Sequence, residues 1–181
     1  MRKQIVAACG MAVLGSALWA VPARPQFGGS PQSPPAKAEC KFQDGKTIHI
    51  DYSSPRMRGR KIFGGLVPYG EPWRAGANEA TTFVIDTDVS FAGKAVPKGS
   101  YTLFALPKPD AWTLIISKDT GEWGIPYPGE QDDFARVPMK VSKLTSPLEN
   151  FTIAFDQSGS TCTLRLDWET TRAAVDISEK K

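Results

Sequence analysis

Arg56, Arg58, Arg60 and Lys61 bring four cations within six positions, and Trp73-Arg74 and Asn78-Glu79 follow on the same stretch. A guanidinium is a planar fork that recognises carboxylates and phosphates through paired hydrogen bonds. The pattern points to an anionic ligand or a glycan, with Arg60, Trp73, Arg74, Asn78 and Glu79 as candidate contacts. Glu122, Trp123 and Tyr127 come from a second aromatic, loop-like stretch and complete the candidate set. A structural reading of the same residues carries equal weight. Arg60 or Arg74 would pair with Glu79 to hold a long loop down, and Trp73 would fill the end of the core. Gly64, Gly65, Gly70 and Gly76 would then serve backbone geometry alone.

Catalysis can be tested motif by motif. Glu79, Glu122 and Asp132 lie in stretches that also carry Trp73, Trp123 and Tyr127. Two such carboxylates across a cleft would suit glycoside hydrolysis, whereas aromatic platforms with a few polar groups suit sugar binding without chemistry. His49 is the sole histidine, with Asp51 two residues on and Ser53 and Ser54 nearby. Same-face residues on a strand stand about 7 Å apart, too far for a triad unless the side chains bend together, and no Gly-x-Ser-x-Gly elbow is present. Cys40, Cys162 and His49 are too few and too scattered for a structural zinc site. Glu130, Asp132 and Asp133 lack the regular spacing of a calcium loop, and no phosphate-binding glycine loop or other cofactor motif occurs. The residues lean toward binding over catalysis, with no cofactor.

These groups must be held by strands. Ile48, Ile50 and Tyr52 alternate with Thr47, His49 and Asp51. Trp112, Leu114 and Ile116 repeat the pattern, as do Phe151, Ile153 and Phe155, then Cys162, Leu164, Leu166 and Trp168. Period-two alternation marks half-buried strands. Asp44-Gly45, Pro97-Lys98-Gly99, Lys108-Pro109-Asp110 and Ser158-Gly159 supply turns between them. Val137, Met139 and Val141 alternate around Pro138, which lacks a ladder donor and so predicts an edge strand. Many short strands joined by Gly and Pro turns predict one all-β domain, an antiparallel β-sandwich or flattened barrel, over residues 38–178. Residues 179–181 form a tail. Residues 55–82 are its one long irregular connection, of a length that is usually functional or disordered, and its aromatics argue against disorder.

Arg2 and Lys3, an uncharged apolar run over residues 5–21 and the small-residue site Val21-Pro22-Ala23 read as a secretory signal peptide over residues 1–23. Val6-Ala7-Ala8-Cys9 resembles an acylation motif but follows almost no apolar segment. Residues 24–37 are rich in Pro, Gly and Ser and predict a flexible linker. The formal charge of +3 includes Arg2 and Lys3. Without them the mature chain is close to neutral, which gives no electrostatic reason for a nucleic-acid partner, and no later segment is apolar enough to span a membrane as a helix. Cys40 and Cys162 both fall on inward-facing positions. In an oxidising compartment they are a candidate disulfide, and two separate buried thiols are the alternative.

Ser53-Ser54-Pro55-Arg56, Gly64-Gly65-Leu66-Val67-Pro68-Tyr69-Gly70 and Trp73-Arg74-Ala75-Gly76-Ala77-Asn78-Glu79-Ala80-Thr81-Thr82 together form a long motif. With Pro97-Lys98-Gly99-Ser100-Tyr101-Thr102-Leu103-Phe104, Trp112-Thr113-Leu114-Ile115, Glu122-Trp123-Gly124, Phe151-Thr152-Ile153 and Leu166-Asp167-Trp168-Glu169, the chain resembles a bacterial exported family, domain of unknown function 2911. The resemblance covers nearly all of the mature domain. It implies an all-β exported domain and brings no assigned catalytic residues. The leading expectation is an exported, periplasmic or extracellular module that binds a small anionic ligand, a glycan or an envelope component. An envelope glycan hydrolase using loop carboxylates and a structural or protein-interaction domain are the alternatives.

The mature protein is expected to begin near Arg24 and to be recovered from the periplasm or medium. N-terminal sequencing of the expressed protein checks this, and Met1 retained in the cytosol, or an acylated Cys9, contradicts it.

Overall fold

The computed structural model describes residues 32–180. The expected signal peptide and most of the expected linker lie outside the described residues. Among the described residues nine strands form one antiparallel sheet. They are β1 (Pro35–Lys41), β2 (Thr47–Ser53), β3 (Thr81–Ile85), β4 (Val89–Phe91), β5 (Lys94–Val96), β6 (Gly99–Pro107), β7 (Trp112–Ser117), β8 (Asp133–Ser158) and β9 (Thr161–Glu179). Their order across the sheet is β1-β2-β3-β6-β7-β8-β9-β4-β5. The all-β expectation holds, and the sheet is not closed into a barrel. Among the described residues the only helical element is a single 3-10 turn, Glu130–Asp132, and no helix is long and apolar enough to cross a membrane.

Local chemistry explains the hairpins. Gly45, at φ 92°, turns β1 into β2, and the Asp44 carboxylate accepts the Lys46 N–H at 3.0 Å. Ile48, Ile50 and Tyr52 point inward from β2 while their neighbours are half-buried, the pattern of a sheet with one packed face. β4 and β5 turn at Ala92-Gly93, both at positive φ. That is the geometry a two-residue hairpin needs, in a dipeptide that carries no strong sequence signal. β1 begins at Pro35, paired with Ser53, three residues before the expected start of the domain. Proline is tolerated there because the outer edge of β1 has no neighbour to receive an N–H.

β8 and β9 are far longer than the alternating runs within them. The two run antiparallel from Lys140–Ala174 to Ser158–Thr161 with register shifts around Leu148, where the ladder bends. Glu169, opposite Leu148, sits at φ 53°. The start of β8, residues 133–139, pairs with β7, and the far half reaches back to the β1–β2 side. There the Tyr52 hydroxyl accepts the Ile153 N–H at 3.1 Å and the Gln157 amide donates to the Lys41 carbonyl. A disulfide joins Cys40 on β1 to Cys162 on β9. One continuous sheet thus folds over itself into two layers around a core that includes Phe83, Phe91, Leu114, Phe151 and Trp168.

The edge position expected from Pro138 is not where that residue lies. β8 is internal, between β7 and β9. Pro138 pairs with Thr113 of β7, whereas the ladder to β9 begins only at Lys140. The residue has a strand neighbour on one side only, so its missing donor leaves no acceptor in β9 unmet.

The disulfide closes a separation of 122 residues. Loop-closure entropy in the unfolded chain then gives a contribution of about 3–5 kcal/mol. The Cys40→Ala/Cys162→Ala double variant should lose that much unfolding free energy in urea titrations. A loss below about 1 kcal/mol would mean that the Tyr52 and Gln157 bonds and the shared core hold the fold-over alone.

Candidate functional site

The long connection between β2 and β3 closes one end of the folded sheet. Met57 donates its N–H to the Glu149 carbonyl and Phe151 donates to the Pro55 carbonyl, which fixes the start of the connection to β8. Further on, Trp73 and Ala105 exchange both N–H···O bonds at 2.7 and 2.8 Å. β3 stops opposite Leu103, so the connection takes up the edge of β6 that β3 leaves free. Ile62, Phe63, Val67 and Ala75 are buried in the core. Trp73 stacks on Trp168 with ring centroids 5.9 Å apart, and Phe151 meets it edge-on at 4.9 Å. Its indole N–H donates to the Gly76 carbonyl at 3.0 Å, and that of Trp168 to the Glu149 carbonyl at 3.1 Å.

A cleft of about 830 Å³ opens above this aromatic floor. Arg60, Trp73, Arg74 and Tyr127 of the candidate set line it, together with Arg56, Arg58 and Glu71. Arg58 is held at φ 50°, Ala75 at 48° and Asn78 at 59°, a conformation unfavourable to side chains that persists only where surroundings enforce it. From the other side comes the loop between β7 and β8. Gly124, at φ 78°, brings its backbone against Arg74, and a Cβ there would lie 3.0 Å from the Cβ atoms of Arg74 and Ala80.

The electrostatics of the cleft differ from those of the rest of the domain. Of the seven arginines among the described residues, three are paired with carboxylates. Arg136 lies 2.6 Å from Asp133 and 3.2 Å from Glu130, Arg165 meets Asp156 and Asp167, and Arg172 grips Asp167 through two bonds of 2.7 and 2.8 Å. The other four, Arg56, Arg58, Arg60 and Arg74, all border the cleft and none makes a salt bridge among the described residues. They donate to uncharged oxygen acceptors instead. Arg56 donates to the Ser54 hydroxyl, Arg58 to the Gln32 amide oxygen, and Arg60 to the Met57 and Arg56 carbonyls. Arg74 donates to the Trp123 carbonyl at 3.0 Å and lies over the Trp123 ring at 5.5 Å. Burial draws its guanidinium below its usual pKa, with the Glu79 charge acting in opposition. Each guanidinium has five donors, so most have no protein partner among the described residues.

The remaining candidates lie elsewhere. Asn78 donates its amide to the Ser33 carbonyl and the Ser53 hydroxyl, fastening the connection to the start of the domain. Glu79 borders a separate dip of about 190 Å³ beside Asp51 and Tyr52, and no ion pair joins it to Arg60 or Arg74 among the described residues. Glu122 does not line the cleft. Burial, then the charges of Asp119 and Asp132, raise its pKa, and its Oε1 has no hydrogen-bond partner. Trp123 stands outside, under Arg74. Tyr127 donates its hydroxyl to Asp133 and accepts from Arg136, and burial with the Asp133 bond pushes its pKa up to about 12. The phenol is therefore neutral at physiological pH.

The structure bears on two catalytic arrangements that the sequence left as alternatives. Among the carboxylates bordering the cleft Glu71 stands alone, so Glu79, Glu122 and Asp132 do not form a pair across it. The His49 and Asp51 side chains do bend together, to 2.9 Å, but neither serine completes a triad. Ser54 donates to the Phe151 carbonyl, and Ser53 accepts from Asn78. Among the described residues no group of three or more His, Cys, Asp and Glu side chains could hold a metal ion. Sequence reasoning left Arg56 and Arg58 out of the candidate set, although their spacing with Arg60 was a usable signal.

The sequence model of the family described as protein of unknown function (DUF2911) matches residues 33–177. The chain belongs to that family. No curated protein and no solved structure matches the chain.

Arg74→Ala should cost about 1–2 kcal/mol, for one charge-assisted hydrogen bond to a carbonyl and one exposed cation–π contact. The double-mutant cycle with Glu79→Ala should give a coupling below about 0.5 kcal/mol, as for groups with no direct contact. A coupling of about 2 kcal/mol or more, the scale of a partly buried pair, would restore the clamp reading.

Proposed function

We propose that this chain is an exported, non-catalytic module that binds a small anionic ligand in the arginine-rimmed cleft. The observation that carries the reading is the segregation of the arginines. Four guanidinium groups without carboxylate partners among the described residues border one concavity, beside a single glutamate. A wall of low polarity focuses such a field, and the free donors are forks shaped for carboxylate or phosphate oxygens. The volume falls in the range of about 300–1,000 Å³ typical of small-molecule sites. The Cys40–Cys162 disulfide supports the export reading, because such bonds persist in oxidising compartments.

Arg58 is the discriminating residue. Its φ of 50° suits glycine, and its backbone N–H bond to the Glu149 carboxylate survives substitution. Arg58→Gly should leave the melting temperature within a few degrees. It should weaken binding of citrate or inorganic phosphate, measured by calorimetry at low salt, at least about tenfold, the scale of one charge-assisted bond. Anion affinity unchanged in Arg58→Gly and in Arg56→Ala, or tight binding of neutral oligosaccharides with no effect of either change, would overturn the reading.

A further inference from the structure

The cleft is larger and more apolar than an inorganic anion requires, and its apolar character continues to its lips. Leu66 (45% exposed), Tyr69 (41%), Trp123 (54%) and Ile125 (66%) are the large hydrophobic side chains left exposed among the described residues. All four come from the two segments that build the cleft. Leu66 and Ile125 line it directly. Single exposed apolar residues scattered over a surface are ordinary, but their concentration at one concavity marks a contact for something apolar.

The floor sharpens the chemistry. Trp73 and Trp168 both spend their indole N–H on backbone carbonyls. Trp168 lies buried beneath (1% exposed), so the floor offers the cleft the carbon surface of the Trp73 ring and no donor. A neutral glycan brings hydroxyls that need partners on burial, and apart from the rim this floor supplies none. A hydrocarbon segment makes no such demand. The charged groups are gathered instead. Arg56, Arg58 and Arg60 fall within one tight turn, closed by the bonds from Arg60 to the Met57 and Arg56 carbonyls.

We infer that the ligand is a single-chain amphipathic anion, with its carboxylate or phosphate head against the arginine turn and its hydrocarbon chain over Trp73, Leu66 and Ile125. This rests on the anion-binding reading above and adds the apolar half of the ligand. Charge complementarity selects the head, and the donor-free floor with its apolar lips selects the tail.

The test uses dodecyl phosphate and dodecanoate below their micelle concentrations, with inorganic phosphate and dodecyl maltoside as controls. Calorimetry and tryptophan emission are the readouts. One molecule of either amphipathic anion should bind per protein, at least about a hundredfold tighter than inorganic phosphate, which burial of only a few methylenes supplies. Arg58→Gly should weaken that binding at least about tenfold. Leu66→Ser/Ile125→Ser changes only exposed positions, and should weaken it while leaving inorganic phosphate unaffected. Equal affinity for inorganic phosphate and the amphipathic anions would overturn this inference and leave the anion-binding reading intact. Equal affinity for dodecyl maltoside and dodecyl phosphate would overturn both. Sedimentation with anionic vesicles, with no binding of monomeric probes, would reassign the patch to a membrane surface and overturn the inference.

Discussion

Trp73 is held at three points: its backbone is laddered to Ala105, its indole nitrogen is bonded to the Gly76 carbonyl, and its ring packs against both Trp168 and Phe151. The cleft depends on this residue. A sheet that folds over itself leaves an open end where core side chains would meet water. The connection from β2 to β3 closes that end because Trp73 both extends the edge of β6 and roofs the aromatic cluster. Without that anchor the segment has no regular hydrogen-bond ladder of its own. A long loop pays conformational entropy at each ordered residue, so its order must come from burial, here of Ile62, Phe63, Val67 and Trp73 against the sheet.

The polar groups follow from that anchoring. Once the apolar side of the connection is buried, its cations are displayed on the opposite side, and the β7–β8 loop supplies the facing wall. The arginine and tryptophan residues thus split the work that the structural and functional readings of the sequence treated as alternatives. Trp73 fills the end of the core and also floors the cleft. Arg60 holds the turn with part of its fork and borders the cleft. Arg74 packs on Trp123 and makes no clamp with Glu79. Elsewhere in the domain the buried Asp167 gathers two arginines, as a desolvated carboxylate must. The contrast identifies the cleft arginines as a separate population.

The two layers are held by contacts between elements far apart in the chain. β1 and β2 meet the distal half of the β8–β9 hairpin through the disulfide, the Tyr52 hydroxyl and the Gln157 amide. These bonds act across a fold-over made possible by the register shifts near Leu148. A straight hairpin of that length would carry its end away from β1 and leave the aromatic cluster unroofed.

Much of this was legible in the residues. Alternation marked the inward faces of β2, β7 and β9 correctly, because a sheet packed on one side must repeat every second residue. The inward phase of Cys40 and Cys162 made a pair conceivable, and the density of cations and aromatics in residues 55–82 pointed to the cleft. Other features could not be read. The runs around Val137 and Ile153 belong to one strand, and Pro138 lies inside the sheet, because strand length and neighbours are set by pairing and not by local pattern. Alanine and glycine at positions 92 and 93 gave too weak a signal for the β4–β5 hairpin. Glu79 and Glu122, close in sequence to residues of the cleft, do not line it, since the path of the backbone and not sequence proximity sets which side chains reach it. By itself the sequence determined the fold class and which segment would border the cleft, because periodicity and composition are local properties. Tertiary structure alone decided which charges share a cleft and which find carboxylates, because that depends on distances between segments the chain brings together only on folding.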